Sequence, residues 1–269
     1  MRLAVAATAP FGAAVLEALA ERHEVELVLT RPDRPQGRGR RVGPPPAKVA
    51  AVRLGLPVVQ PERPAELPGS AEVVVVAAYG VLIPATLLEE RLWLNVHPSL
   101  LPRWRGAAPV ERAIMAGDAE TGVTIHRTTP ELDAGPIAAQ RAFPIEPEDD
   151  TGAVLERASR VAVELLDEVL PEPRFVPQAA EGVTYAEKIG PADRRLDWAR
   201  PPRENVDRVR ALSPHIGARV LVRGRPLVVW RARIAGPGAL LVEGGVDLLE
   251  VQPEGRRRMT AAEYLRGLR

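Results

Sequence analysis

Residues 3–29 run strand, helix, strand, and this opening constrains the fold more than any other stretch. Leu3 to Ala7 is short and apolar, Thr8 can cap a helix that starts after it, and Pro10 suits a first helical turn. Val15, Leu16, Leu19 and Ala20 supply a helical stripe, and Val25 to Leu29 reads as a second strand. A strand-helix-strand unit implies parallel strands. Glu72 to Ala78 is a valine-rich run with apolar residues on both faces, the pattern of a parallel strand covered on each side. The fold class expected is therefore α/β, a Rossmann-like doubly wound parallel sheet. No GxGxxG motif accompanies it, which counts against a dinucleotide-binding oxidoreductase.

The later part of the chain changes character. Thr151 can cap a long helix whose apolar face includes Leu155, Ala158, Val161, Ala162, Leu165 and Val169. Residues 179–199 carry Gly182, Gly190 and Pro191 with little periodicity and read as a linker. From residue 200 a helix is followed by short strands separated by Gly-rich turns, which suggests a small OB-like β-barrel. The expected organisation is a catalytic domain over residues 1–178, a linker over 179–199 and a small basic domain over 200–269.

Charge follows that division. The net charge is only +1, but residues 200–269 hold fourteen Arg against seven acids, a net of +7. The remainder holds 22 basic and 28 acidic residues, a net of −6. A basic small domain attached to an acidic one fits a polyanion partner, although surface arginines that merely solubilise fit the same counts. Thr30 to Lys48 concentrates Arg31, Arg34, Arg38, Arg40, Arg41 and Lys48 against the single acid Asp33. Its glycines and prolines argue against regular structure. A solvated loop and a phosphate-contacting finger both fit. The chain has no Cys, so thiol catalysis and thiolate metal sites are excluded. No signal-peptide pattern and no membrane-length apolar run stand out, and a soluble cytoplasmic protein, a monomer without membrane association, is expected.

The stretch Trp93 to Pro109 carries the candidate chemistry. Period two places Trp93, Asn95 and His97 on one strand face, and Pro98 ends the ladder. An amide and an imidazole thus arrive together at a strand end, where open α/β sheets commonly bind ligands. Asp133 lies in the tight loop Leu132-Asp133-Ala134-Gly135-Pro136. With Asn95 and His97 it would suit acyl transfer through a tetrahedral intermediate: donors for the oxyanion, a proton acceptor, and a carboxylate that raises the imidazole pKa. Each residue alone also has a purely structural reading, as a turn or core partner. His126 could lie near the same strand ends. His23 and His215 carry weaker signals, and no pair of histidines has metal-ligand spacing, so no metal is expected.

Asn95-Val96-His97-Pro98-Ser99-Leu100-Leu101-Pro102-Arg103-Trp104-Arg105-Gly106, then Gly117 to Ile125, then Leu132-Asp133-Ala134-Gly135, closely resemble the folate-dependent formyltransferases in order and spacing. The resemblance covers nearly the whole chain. It implies 10-formyltetrahydrofolate as donor and cosubstrate, the α-amine of methionyl initiator tRNA as acceptor, and catalytic roles for Asn95, His97 and Asp133. In the implied course, Asn95 and a protonated His97 hold the oxyanion while Asp133 keeps His97 charged. Tyr79, Gly80, Val81, Leu82, Ile83 and Pro84 resemble the family's folate-pocket loop, and Ser99, Leu100, Leu101 and Pro102 join them as cosubstrate-binding candidates. Arg34, Arg38, Arg40 and Arg41 fall in a loop that resembles the family's tRNA-approaching insertion, and Lys188, Arg223 and Arg225 complete the candidate tRNA contacts.

Two alternatives remain open at this point. His126-Arg127 and Asp133-Ala134-Gly135 read somewhat more like formyltransferases acting on a nucleotide-linked amino sugar. A non-catalytic RNA-binding protein on the same scaffold is the alternative from a different class.

Overall fold

The computed structural model describes residues 2–36 and 41–268. The chain packs into two compact units, one of Met1–Arg105, Gly122–Ala142 and Glu156–Thr184, the other of Gly106–Thr121, Phe143–Leu155 and Tyr185–Arg269. Neither unit is continuous in sequence: segments 106–121 and 143–155 group with residues 185–269.

The elements of the first half are β1 (Arg2–Ala7), α1 (Pro10–Ala20), β2 (Glu24–Leu29), β3 (Arg34–Gln36), β4 (Arg41–Gly43), α2 (Pro46–Arg53), β5 (Val58–Val59), β6 (Val73–Ala77), α3 (Ala85–Glu90) and β7 (Leu92–His97). Then come β8 (Arg105–Gly106), α4 (Pro109–Met115), β9 (Glu120–Arg127), β10 (Ile137–Pro144) and α5 (Thr151–Val169). A seven-stranded sheet has the order β10-β9-β7-β6-β1-β2-β5. Strands β5, β2, β1, β6 and β7 are mutually parallel, as expected, while β9 runs antiparallel to β7. All five residues of β6 are buried, which requires cover on both faces of the sheet. Burying each such valine contributes about 1.5–3 kcal/mol.

Several local expectations give way to tertiary partners. The N-cap of α1 is Ala9, not Thr8, and it makes no side-chain cap. Thr8 Oγ1 instead donates to the Tyr79 carbonyl at 2.8 Å and ties β1 to the end of β6. At α5, Asp150 Oδ1 accepts from Ala153 N at 2.9 Å, while Thr151 Oγ1 donates to Ala211 O at 2.7 Å. The Pro- and Gly-rich segment after β2 is not wholly irregular. Strands β3 and β4 pair antiparallel, with Arg34 opposite Gly43 and Gln36 opposite Arg41. Prolines are tolerated here because this two-stranded ribbon exposes its edges.

The second unit contains β11 (Tyr185–Ala186), α6 (Pro202–Leu212), β12 (Ala218–Val222), β13 (Arg225–Ile234), β14 (Val242–Glu243), β15 (Val246–Pro253), β16 (Met259–Thr260) and α7 (Ala261–Arg266). Its antiparallel sheet has the order β12-β13-β15-β14, with β16 on β15, so the expected small barrel is a curled half-barrel. Val206, Val209 and Leu212 of α6 join Val222, Leu227, Val229, Leu248 and Val251 in one core. Arg210 explains why 143–155 belong here: it donates to Asp207 Oδ1 at 2.7 Å and to the carbonyls of Glu146 and Asp149 at 3.2 and 2.7 Å. Among the described residues, no helix is long and apolar enough to cross a membrane.

Candidate active site

Strand β7 delivers Asn95 and His97, as the period-two reading expects. Its neighbour β9 lies in a register that places His126 opposite Asn95 and Thr124 opposite His97. The loop after β9 returns Asp133 to the same place. All of these residues belong to the first unit.

Asn95 Nδ2 lies 3.1 Å from Asp133 Oδ1 and 3.1 Å from His126 Nε2. Both amide hydrogens are therefore directed at protein acceptors. His97 Nε2 lies 2.8 Å from the Trp104 carbonyl, which can only accept, so this nitrogen carries a proton. The other ring nitrogen, Nδ1, lies 3.7 Å from Asp133 Oδ2. The His97 and His126 rings meet edge to face, 6.3 Å between centroids.

The resemblance implies a charged His97, and the buried surroundings of the ring act against that charge. Burial of the imidazole pushes its pKa below the ordinary 6.5, and the nearby His126 acts in the same direction. The Asp133 carboxylate and the Trp104 carbonyl oppose this without overcoming it. Burial thus favours the neutral ring, with its proton on Nε2 and Nδ1 facing Asp133. Neighbouring charge alone suggested the opposite sign; the desolvation cost could not be read from local sequence.

The loop bearing Asp133 is shaped by its neighbours. Asp133 has φ +48°, in the left-handed region that Asp tolerates better than most residues. Gln178 Nε2 donates to the carbonyls of Asp133 and Gly135, both at 2.8 Å. Arg105 Nη2 donates to Gln178 Oε1 at 2.7 Å and fixes the orientation of that amide. A Cβ at Gly135 would overlap the Arg127 carbonyl oxygen. Gln178 was not singled out from sequence, since it sits in no pattern that marks function, and Thr124 was given no role of its own within the Gly117 to Ile125 block. Thr124 Oγ1 donates to Ser99 O at 2.7 Å and accepts from Leu101 N at 3.2 Å, pinning the loop after β7.

The cosubstrate-binding candidates lie on two loops at the ends of the neighbouring strands β6 and β7. Tyr79, Ile83, Ser99 and Leu101 are buried, and Ser99 Oγ donates to Arg103 O at 2.7 Å. Their side chains serve the interior. Leu82 is 83% exposed, Gly80 is exposed with φ +71°, and Val81, Pro84, Leu100 and Pro102 are partly exposed. The Tyr79 hydroxyl is buried and has no hydrogen-bond partner among the described residues.

Of the candidate tRNA contacts, Arg34 and Arg41 are exposed on the β3–β4 ribbon, whereas Arg38 and Arg40 lie outside the described residues. Lys48 is not a free cation, because its Nζ lies 2.8 Å from Asp33 Oδ1. Gln60 and Lys48 in turn hold the Asp33 carboxyl below its ordinary pKa. Lys188 is exposed, and Arg223 and Arg225 are exposed at the β12–β13 turn. Other arginines of the C-terminal region are occupied: Arg210 by Asp207, Arg233 by Asp247, and Arg258 stacked 3.4 Å from the Trp230 ring centroid.

Residues 1–170 match the formyl transferase family, and residues 188–269 match the formyl transferase C-terminal domain. A methionyl-tRNA formyltransferase of Paracoccus denitrificans is 44% identical over 292 aligned positions, covering 100% of this chain and 98% of that protein. The Aromatoleum aromaticum protein of the same name is 43% identical, covering 99% and 94%. An N-formyltransferase from Helicobacter canadensis, solved with folinic acid and dTDP-3-aminofucose, superposes with TM-score 0.67 at 16% identity, over 90% of this chain and 91% of that one. That likeness concerns the fold. The matches to both domains, together with a relative 44% identical over 100% of this chain, establish that this chain belongs to the formyl transferase family.

Proposed function

We propose that this protein transfers the formyl group of 10-formyltetrahydrofolate to the α-amine of methionyl initiator tRNA, for translation initiation. The carrying observation is the assembly of Asn95, His97 and Asp133 at one strand end, in a chain 44% identical along its full length to a methionyl-tRNA formyltransferase. The arginines exposed on the β3–β4 ribbon and at the β12–β13 turn suit the phosphates of an acceptor nucleic acid. The protein would work as a cytoplasmic monomer.

The folate supplies an electrophilic formyl carbon attached to a nitrogen leaving group. Residues Gly80 to Pro84 and Leu100 to Pro102 would hold it through exposed apolar surface and backbone. The neutral α-amine of the acceptor, with an ordinary pKa near about 8, attacks that carbon. Asn95 donates an amide hydrogen to the developing oxyanion by exchanging Asp133 Oδ1 for the substrate oxygen. His97 Nδ1 takes the proton released from the attacking nitrogen. The imidazolium formed then lies beside the Asp133 carboxylate, which stabilises it. Return of that proton from Nδ1 to the departing nitrogen completes the transfer, with His97 neutral again.

The test is single-turnover formyl transfer from 10-formyltetrahydrofolate to methionyl initiator tRNA, with methionyl elongator tRNA alongside. Initiator-selective transfer is expected. Replacing Asn95 or His97 with Ala should remove about 10²–10⁴-fold of the rate while tRNA binding persists. A folded, folate-binding protein that formylates neither tRNA, or prefers a nucleotide-linked amino sugar, would overturn the assignment.

A further inference from the structure

We propose that His126 is a positioning residue for formyl transfer, acting through Asn95: its Nε2 accepts one Asn95 amide hydrogen and thereby sets which way the carboxamide faces. The inference rests on the proposed reaction and deepens the account of its site.

Three observations converge on this role. First, His126 is 1% exposed and stands opposite Asn95 across the antiparallel β7–β9 pair, so the strand register itself brings the two together. Second, the His126 tautomer is set by the backbone. Its Nδ1 lies 3.0 Å from the Arg127 carbonyl, which can only accept a hydrogen, so Nδ1 carries the proton. With that proton on Nδ1, Nε2 is left as an acceptor, 3.1 Å from Asn95 Nδ2 and 3.7 Å from Asp133 Oδ1. Third, Asp133 Oδ1 is the other acceptor of Asn95 Nδ2, at 3.1 Å. A flipped carboxamide would set its oxygen against both a carboxylate and an imidazole lone pair. The two acceptors therefore allow one orientation.

The division of labour follows from their chemistry. Asp133 belongs to the proton-handling pair with His97, and its hold on Asn95 is the one released when the substrate oxygen takes that hydrogen. His126 retains the second hydrogen throughout and keeps the amide plane aimed during the exchange. The Arg127 carbonyl that fixes the tautomer also excludes any side chain at Gly135, and Arg127 N donates to Pro136 O at 3.0 Å. The strand end carrying His126 and the loop carrying Asp133 are thus built against each other.

The experiment uses the full-length protein with His126→Leu, His126→Gln, Asn95→Ala and the Asn95→Ala/His126→Leu double variant. Leucine fills the site without an acceptor, whereas a glutamine carbonyl reaches about the position of Nε2. The leucine variant should lose about 10- to 100-fold in kcat with KM for folate and tRNA unchanged, and glutamine should restore kcat to within about threefold of wild type. In the Asn95→Ala background, His126→Leu should cost nothing further, because its effect passes through Asn95. A merely structural role predicts additive losses and no rescue by glutamine, and either result overturns the proposal.

Ring nitrogen NMR of the wild-type protein gives a readout independent of turnover. A His126 ring protonated on Nδ1 and bare on Nε2 is expected, and a proton on Nε2 would overturn the proposal even if the leucine variant did not fold. Absence of tRNA formylation by the wild type, with the expected tautomer present, would instead count against the reaction assigned above.

Discussion

Gln178 donates from one nitrogen to two carbonyls of the loop that carries the candidate carboxylate, those of Asp133 and Gly135, each at 2.8 Å. Arg105 holds the other end of the same amide. A residue 45 positions away in sequence thus fixes where Asp133 sits. Gln178→Leu should cost about 1–3 kcal/mol in unfolding free energy, from two carbonyls left without this donor. It should also lower kcat about tenfold, with KM for both substrates nearly unchanged. Denaturant unfolding and single-turnover kinetics on one preparation check both.

Gly135 is required by space. A Cβ there would overlap backbone, which cannot swing aside as a side-chain tip can. Gly135→Ala should destabilise by roughly 1–3 kcal/mol and abolish most transfer activity. Gly236, with nothing within 4 Å of its added Cβ, provides the control, and Gly236→Ala should leave melting temperature and activity unchanged.

The depressed pKa of His97 has a kinetic sign. Transfer needs the neutral imidazole, so rate is lost as pH falls through the His97 pKa, and burial places that loss below 6.5. The substrate amine contributes its own decline at higher pH. The logarithm of rate should therefore steepen from unit slope to a slope of two below pH 6.5. Asp133 is the charge that raises the His97 pKa, and His126 is the neighbour that lowers it. Asp133→Asn should thus move the steepening to still lower pH while reducing the plateau about 10²-fold or more. Movement to higher pH would show that the carboxylate does not support the imidazolium.

The β3–β4 ribbon offers a salt-dependence test. Replacing Arg34 and Arg41 with Gln should weaken initiator tRNA use and reduce the salt slope by about one per lost phosphate contact, with KM for the folate unchanged. Lys48→Ala should act differently, since Lys48 is paired with Asp33 rather than presented to solvent alone. Its tRNA salt slope should match wild type. Equal slopes for the arginine variant and wild type would identify the ribbon as a solvated surface.

The apolar pattern of residues 3–29 and 73–77 sufficed for a parallel sheet, because strands buried on both faces must be apolar throughout. Period two sufficed to place Asn95 and His97 on one face, since alternation is a property of the strand itself. The family resemblance of the segments around Asn95, His97 and Asp133 reached the same three residues. The partners of those residues were not legible in the same way. Asn95 meets His126 only through the β7–β9 register, and Asp133 meets Gln178 only through chain return. Thr8 and Thr151 looked like helix caps by position, yet both spend their hydroxyls on distant carbonyls. What the sequence by itself determined was which residue types arrive at the strand end. What only the tertiary structure decided was their hydrogen-bond partners and the direction in which burial pushes the His97 pKa, because pairing and desolvation depend on atoms brought from elsewhere in the chain.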